Sequence, residues 1–470
     1  MKSNYTGAAW LSACALSLVA FTVYAQPTDD NAQIMEKLYT KIAQSLTVGT
    51  NTPAAGKSIL ILANPGIAID PALDPGSSQD DRKAISRVLD RVPGPSWIYQ
   101  ETSYALSSVY GDVLGNHVLA NSSITDDQKK QLRAAEKVLF KDGDPAKGDS
   151  DQMTAYKKYR AIWQDKVNAL EAHRAPSGNV AASYTQAREA ARQDWKNLGF
   201  RAAIETAEGT RDSLTSLDPN FWFQQLSDAY NASQENPGTG DQFEPVGLYP
   251  AYKSWANLQG WATITLTAAE IHNLQTSDHT SVGGSAGVNY GLFSFSAGAN
   301  HSTTDQHQHS NIQVSGIKMD VLRVSLDRSP WFDGLVFRSH VWQWPTGGGP
   351  LGGNLISDGA SPPGSKDPNI LMPYVPTAIL LSRNVVISGT VTDTDMTYHN
   401  SHTSASGSLG WGPFAIGGHY EEDHTKSTFD AKIDGNGITI PGYQIIGWYC
   451  EVLPKSPDPD KTLTWPARNP

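Results

Sequence analysis

Cysteine is almost absent from this chain, whose 470 residues contain only Cys14 and Cys450. The first belongs to an apolar run that follows Lys2 and ends at Val23-Tyr24-Ala25, a pattern typical of a cleaved secretory signal. We therefore expect a signal peptide at 1–25 and a secreted protein, either extracellular or periplasmic. Cleavage would leave one cysteine, which excludes an intramolecular disulfide scaffold.

A lipoprotein is the alternative for the N-terminus, because Leu11-Ser12-Ala13 before Cys14 has the form of a lipobox. That alternative requires the apolar run to end at Cys14, and the run continues to residue 25. Cys450 lies in the apolar stretch 442–454, where a buried and inert thiol is expected rather than a nucleophile.

Long apolar runs and clusters of positive charge are also missing. No further segment reaches the roughly 18 to 20 apolar residues of a membrane-spanning helix. The net charge is −11 and no Lys/Arg cluster offsets it, which argues against nucleic acid as a partner. With 39% hydrophobic residues, the chain is able to bury substantial cores.

The hydrophobic period changes from helical to strand-like along the chain. Thr125-Asp126-Asp127-Gln128 predicts a capping box, and two amphipathic helices, about 151–174 and 180–207, are joined by the short "APSG" connection at 175–178. From about residue 235 apolar residues alternate with polar ones, as in 262–268. The prediction is an α+β fold with a long antiparallel helical hairpin, followed by an antiparallel β domain of two similar strand–hairpin–strand units.

The expected organisation has seven parts. They are a signal peptide at 1–25, a helical domain at 26–234, a linker at 235–249, a first β unit at 250–344, a Gly/Pro-rich spacer loop at 345–376, a second β unit at 377–454 and a Pro-rich C-terminal tail at 455–470.

Two neutral segments, 281–300 and 404–421, carry the functional signal. Apart from Glu421 at the end of the second segment, they lie in the windows 280–304 and 396–420, which contain no Asp, Glu, Lys or Arg although 18% of the chain is charged. A solvated strand face ordinarily supplies charged residues, partly to block edge pairing. Here the polar positions are filled by Ser, Gly and Asn instead.

Alternation indicates that each neutral segment is a β-hairpin. The first would turn at Gly291-Leu292 and the second at Gly412-Pro413, because the apolar face changes parity there, as a two-residue turn requires. The expected apolar faces carry Val282, Ala286, Val288, Tyr290, Phe293, Phe295, Leu409, Trp411, Phe414 and Ile416.

The neutral segments resemble the amphipathic hairpins that secreted β-barrel pore formers insert into bilayers. Each strand has the roughly 9 to 11 residues that cross a membrane. The resemblance implies a non-enzymatic, membrane-active protein with the lipid membrane as its partner and a homo-oligomer on that membrane. The ten apolar side chains would contact lipid, and Trp411 and Phe414 would be exposed at a hairpin tip.

Histidines and carboxylates flank both segments. Asp305, His307 and His309 alternate along one strand, Asp278 would fall opposite Asp305, and His402 would fall opposite Asp423. Carboxylate with two imidazoles is a possible zinc or copper ligand set, of which zinc is the expected metal. Protonation of the same histidines would instead form a pH switch. Solvated strand ends are the third interpretation, and no cofactor other than this possible zinc is indicated.

Other functions remain open at this stage. A soluble sheet with one buried face gives the same alternation as an inserting hairpin. Trp residues in the β half, including Trp331, Trp342, Trp344 and Trp448, suggest a secreted glycan- or protein-binding (adhesion) module as the second candidate. A metal-dependent hydrolase is the third. No catalytic residue is predicted, because the G-x-S-x-G match at 283–287 lies within a strand pattern with no helix after it.

Overall fold

The structure is a computed structural model, and every statement below refers to the residues that it describes. These are 37–39, 41–42, 58–94, 101–121, 123–172, 181–215, 217–238, 241–258, 260–272, 292–297, 304–309, 312–345, 348–349, 355–360, 370–402, 407–419 and 428–466.

The protein has an α+β fold, as predicted. Its helices within these residues are α1 (Gln79–Leu89), α2 (Leu106–Gly115), α3 (Asp126–Leu139), α4 (Asp151–Ala172), α5 (Ala182–Asn197), α6 (Arg201–Thr215), α7 (Pro219–Ser233), α8 (Ala268–His272) and α9 (Asp393–His402). The predicted capping box begins α3: the Gln128 amide N–H donates to Thr125 Oγ1, and the Thr125 N–H donates to the Gln128 side chain.

The predicted helical hairpin is formed by α4 and α5. Trp163 stacks on Trp195 at 5.1 Å, and Tyr159 lies beside Gly199, so the two helices run in opposite directions. The prediction of one continuous helix over 180–207 is wrong, because the helix is interrupted between α5 and α6. A Cβ at Gly199 would lie 2.5 Å from the Trp195 carbonyl oxygen, and Phe200 adopts a φ of 51°.

Antiparallel strands form one large sheet and several small ones. The strands are β1 (Ser58–Ile69), β2 (Arg91–Pro93), β3 (Glu101–Ala105), β4 (Val118–Leu119), β5 (Gly247–Tyr249), β6 (Ala262–Leu266), β7 (Leu292–Ala297), β8 (Thr304–His309), β9 (Gln313–Asp327), β10 (Trp342–Gln343), β11 (Ser357–Asp358), β12 (Tyr374–Thr390), β13 (Gly407–Trp411), β14 (Phe414–His419), β15 (Thr428–Asp430), β16 (Lys432–Asp434), β17 (Gly437–Ile440), β18 (Tyr443–Val452) and β19 (Lys455–Ser456).

The large sheet, called the main sheet below, is centred on the pair β9–β12. Along one half its order is β6–β9–β12–β17–β16, and along the other half it is β5–β9–β12–β18–β1. The strand β1 comes from the segment predicted as helical, 26–234, and β5 comes from the predicted linker, 235–249. Both segments therefore contribute edge strands to the main sheet, since β1 pairs with β18 and β5 pairs with β9.

The main sheet separates two hydrophobic cores. On one face Leu322 and Val324 of β9 pack with residues of α1, α2 and α7, including Trp222. On the other face Met319 and Val321 pack with a second, smaller sheet described below. Alternate residues of β9 thus serve different cores, which is the pattern of a strand that is buried on both faces.

A buried polar cluster links the helices to the loop before β10. Arg211 of α6 is 5% exposed, and its Nη1 donates to Asp333 Oδ2 at 2.6 Å. Glu136 of α3 is 2% exposed and lies near Arg211. Burial raises the pKa of Glu136 to about 7, although the charge of Arg211 and a hydrogen bond from Gln225 act in the opposite direction.

The raised pKa of Glu136 predicts a pH-dependent stability. A carboxyl group with a pKa higher in the folded than in the unfolded state stabilises the fold at low pH, and this contribution is lost as the pH rises from about 4.5 to about 7. The substitution Glu136→Gln should therefore raise the free energy of unfolding by about 1–3 kcal/mol at pH 8. The gain should disappear below about pH 4.5.

Urea unfolding of wild type and Glu136→Gln across this pH range measures the effect. The exposed Glu205→Gln on α6 is the control, with an expected change below about 0.5 kcal/mol. A larger benefit of Glu136→Gln at pH 4 than at pH 8 would contradict the assignment.

Candidate functional site

Both neutral segments belong to connections that leave the main sheet at the same end. The first connection, 267–312, joins β6 to β9, and the second connection, 391–436, joins β12 to β17. Leu266 pairs with Ile317, Thr390 with Gln313, and Ser388 with Gly437. The four strands are consecutive neighbours in the main sheet, so the two connections start side by side. The second connection also contains β16, which pairs with β17 in the main sheet.

Strands of the two connections together form a five-stranded antiparallel sheet, called the connection sheet below. Its order is β15–β14–β13–β7–β8. The strand β7 of the first connection pairs with β13 of the second, with Phe295 opposite Leu409 and Phe293 opposite Trp411. The two neutral segments therefore meet, a point that the sequence alone left undetermined.

The hairpin predicted for the second neutral segment is confirmed at its turn. Trp411 pairs with Phe414 across Gly412-Pro413, and Gly410 pairs with Ala415. Further along, Leu409 pairs with Gly417 because the register shifts after Gly410. The hairpin β13–β14 is thus as predicted near its tip and bulged beyond it.

The pairing predicted for the first neutral segment is wrong in this structure. A hairpin turning at Gly291-Leu292 would place 281–290 beside β7. Both edges of β7 are already occupied, one by β8 and the other by β13. The described part of this segment, β7, therefore has partners other than the predicted one, and 281–290 lies outside the described residues.

The expectation that Trp411 and Phe414 are exposed is also wrong. Both side chains are 0% exposed, as are Leu409 and Ile416, and all four belong to the core beneath the main sheet. The tip is buried because it packs against β1, which is irregular between Leu62 and Ile67. Whether these four residues also contact lipid in another state stays a prediction.

Two close contacts hold the tip of β13–β14 against the main sheet. A Cβ at Gly66 of β1 would lie 2.6 Å from the Pro413 carbonyl oxygen, so the turn and β1 touch through backbone. Gln444 of β18 is 1% exposed; its Nε2 donates to the Ala415 carbonyl at 2.8 Å, and its Oε1 accepts from the Ala415 N–H at 2.9 Å.

A third contact comes from α9, which lies within the second connection. His399 is 3% exposed, and its Nε2 lies 3.1 Å from the Ile416 carbonyl oxygen, a distance at which a protonated Nε2 donates to that oxygen. The same nitrogen lies 3.2 Å from Asp430 Oδ1. The sequence contained a signal for this helix, since Thr392 and Asp395 form a reciprocal cap at its start.

The strand register predicted for His402 is wrong, because His402 is the last residue of α9. Its predicted partner Asp423 lies outside the described residues, as does Asp278. Asp305, His307 and His309 share one strand, as predicted. That strand, β8, pairs antiparallel with β7 instead of continuing it, and a register irregularity falls at Asp305. Among the described side chains, no group of three His, Cys, Asp or Glu residues is placed to hold a metal ion.

The remaining predicted lipid contacts fall partly outside the described residues. Val282, Ala286, Val288 and Tyr290 lie there, while Phe293 and Phe295 are on β7.

The Trp residues that suggested glycan recognition are buried. Trp331, Trp342 and Trp448 are each 0% exposed and belong to the first core, and Trp344 packs against it. Cys450 is buried in the same core, and burial raises the pKa of its thiol well above the usual range. These residues therefore offer neither an open aromatic platform nor a reactive nucleophile.

Comparison of the chain with protein-family models, curated proteins and solved structures gave no match. Within the part of the chain that the structure describes, no helix combines the length and the apolar character needed to cross a membrane. The function must therefore be inferred from the two connections and their packing.

The burial of the hairpin tip predicts a large cost for truncating it. Phe414→Ala should lower the free energy of unfolding by about 3–5 kcal/mol, because it leaves a cavity between the connection sheet and the main sheet. Phe221→Ala is the matched control, since Phe221 is 41% exposed on α7, and it should cost below about 1 kcal/mol. Equal effects in urea unfolding would show that Phe414 is not buried in solution.

Proposed function

We propose that this protein is a secreted, non-enzymatic, membrane-active protein that inserts β-hairpins in the manner of pore formers. The observation that carries the proposal is the common origin of the two connections, 267–312 and 391–436, at one end of the main sheet. Each connection follows one strand and precedes its antiparallel neighbour. If a connection straightens, it can extend both of those strands as one continuous hairpin.

The composition of the connections supports the same function. Each contains one of the two charge-free windows, 280–304 and 396–420, with small apolar and uncharged polar residues in alternation. In a bilayer every backbone group must pair, and alternating side chains face lipid and water in turn. Both connections are long enough for two strands of the roughly 9 to 11 residues that a bilayer requires.

Several copies of the chain would be needed to make a pore. Two hairpins supply four strands, and the smallest bacterial transmembrane barrels have about eight. Open edges are not tolerated in lipid, so hairpins from neighbouring copies would have to pair until the barrel closes. The proposed partners are therefore the lipid membrane and further copies of this protein.

We further propose that the histidines of the two connections regulate insertion. His307 and His309 on β8 and His402 at the end of α9 lie within or beside the segments that would insert. Protonation of these histidines would add positive charge to the inserting segments, and zinc binding would cross-link those segments. Either event would change the free energy of insertion into the bilayer.

Placing a charge on the lipid-facing side tests the proposal. Ala286→Asp should abolish leakage, because every copy in the barrel would place a carboxylate on its lipid-facing side. The cost per strand is somewhat below the roughly 2–4 kcal/mol that Arg or Lys has at the midplane of a barrel. The neighbouring Ser285→Asp is the matched control, because the alternation assigns Ser285 to the water-facing side, and it should retain leakage. Leu409→Asp is unsuitable, since Leu409 is fully buried in the soluble fold.

The assay is release of carboxyfluorescein from liposomes by the purified chain from residue 26, at pH 7.4 and pH 5.5, with and without a chelator. Thermal unfolding verifies that each variant is folded. Equal leakage by Ala286→Asp and wild type would contradict insertion of this segment as an alternating hairpin.

A further inference from the structure

We propose that Gln444 is a clip that holds the hairpin β13–β14 against the main sheet, and that breaking this clip controls when the second connection can leave. This inference deepens the proposed function and rests on it for the consequence at a membrane. The clip itself is a property of the soluble protein, and it can be measured without lipid.

The clip substitutes for a missing strand. The strand β15 pairs with β14 at Gly417, Gly418 and His419, and the Ala431 N–H donates to the Ile416 carbonyl. The ladder ends there, which leaves the N–H and C=O of Ala415 without a β15 partner. The side-chain amide of Gln444 donates to one of these groups and accepts from the other, as a neighbouring strand would do.

The buried position of Gln444 within the main sheet explains why its amide makes these bonds. It lies within the main sheet, where it pairs with Ala68 of β1 and Ser382 of β12, and its side chain is buried. When the hairpin departs, the Gln444 amide and the Ala415 backbone groups would bond to water instead. Each of the two protein hydrogen bonds is more favourable than this exchange, by a modest net amount. The bonds therefore favour the docked hairpin over any arrangement that separates the two sheets.

The contacts that hold the hairpin come from two sources: residues that would leave with it and residues of the main sheet that would stay. Gly66 meets the turn at the Pro413 carbonyl through close backbone packing, and His399 holds the Ile416 carbonyl from α9. His399 belongs to the second connection itself and would move with it. Gln444 belongs to β18 and would stay, so its bonds must break when the hairpin departs.

Gln444→Met tests the clip, because methionine keeps the length and bulk of the side chain and removes the amide. Hydrogen exchange followed by mass spectrometry would be measured on peptides covering 407–419. Amides that Gln444 does not itself bond, such as that of Trp411, should exchange roughly 10- to 100-fold faster, as expected for the loss of two hydrogen bonds. Peptides from β9 should be unchanged.

The same variant should shorten the lag before carboxyfluorescein leaks from phosphatidylcholine–phosphatidylglycerol vesicles. Gln193→Met, at an exposed position on α5, is the control and should change neither exchange nor leakage. Should Gln444→Met fail to fold, Gly66→Ala provides the second variant. Its Cβ would lie 2.6 Å from the Pro413 carbonyl oxygen and 3.2 Å from Gln444 Oε1, so it would disturb the turn and the clip together.

The outcomes separate the clip from the proposed function. Unchanged exchange in 407–419, or an equal increase in β9, would overturn the clip. Faster exchange with an unchanged leakage lag would overturn its control of release. If wild type releases dye from no vesicle, the proposed function is contradicted. The exchange result alone still decides whether Gln444 holds the hairpin.

Discussion

The pairing of β9 with β12 is the interaction on which the other features depend. These are the longest strands among the described residues, with 15 and 17 residues, and they pair along almost their whole length. Their register fixes which side chains reach each core, since a slip of one residue would exchange the two faces. It also sets β6 and β17 on either side, and so brings the starts of both connections together.

Packing of the connection sheet against the main sheet buries apolar residues of the second neutral segment. Leu409, Trp411, Phe414 and Ile416 are fully buried beneath the main sheet, and each contributes roughly 1.5–3 kcal/mol by leaving water. A bilayer would shield the same side chains, so their apolar area does not by itself favour either state. The polar and backbone contacts that exist only in the folded state, at Gln444, His399 and Gly66, therefore carry more weight in the balance between the two.

Much of the fold was predictable from local patterns. The capping box at Thr125, the paired helices around 151–197 and the turn at Gly412-Pro413 each depend on residues close in sequence, and all three are observed. The strand β1 was missed because its partner β18 lies almost 400 residues away, and no local signal distinguishes such a buried run from a helix.

The candidate site was harder to predict for the same physical reason. Alternation defined the two faces of 404–421, but it could not show that the tip would pack against β1 and so bury Trp411 and Phe414. The strand pattern does not hold at His402, because the cap at Thr392 and Asp395 favours a helix that reaches this residue. Gln444 was visible as a single amide in an apolar strand, although its partner Ala415 was not.

The most direct test of the central claim is an environment-sensitive fluorophore placed at single cysteines along 404–408, before and after the protein binds vesicles. Cys450 should not react with the label, since it is buried and burial raises the pKa of its thiol. If the second connection inserts as a strand, emission should shift to the blue at Ala405 and Gly407 and remain aqueous at Ser404, Ser406 and Ser408. Emission that does not alternate on membranes, or does not change on binding, would contradict the account.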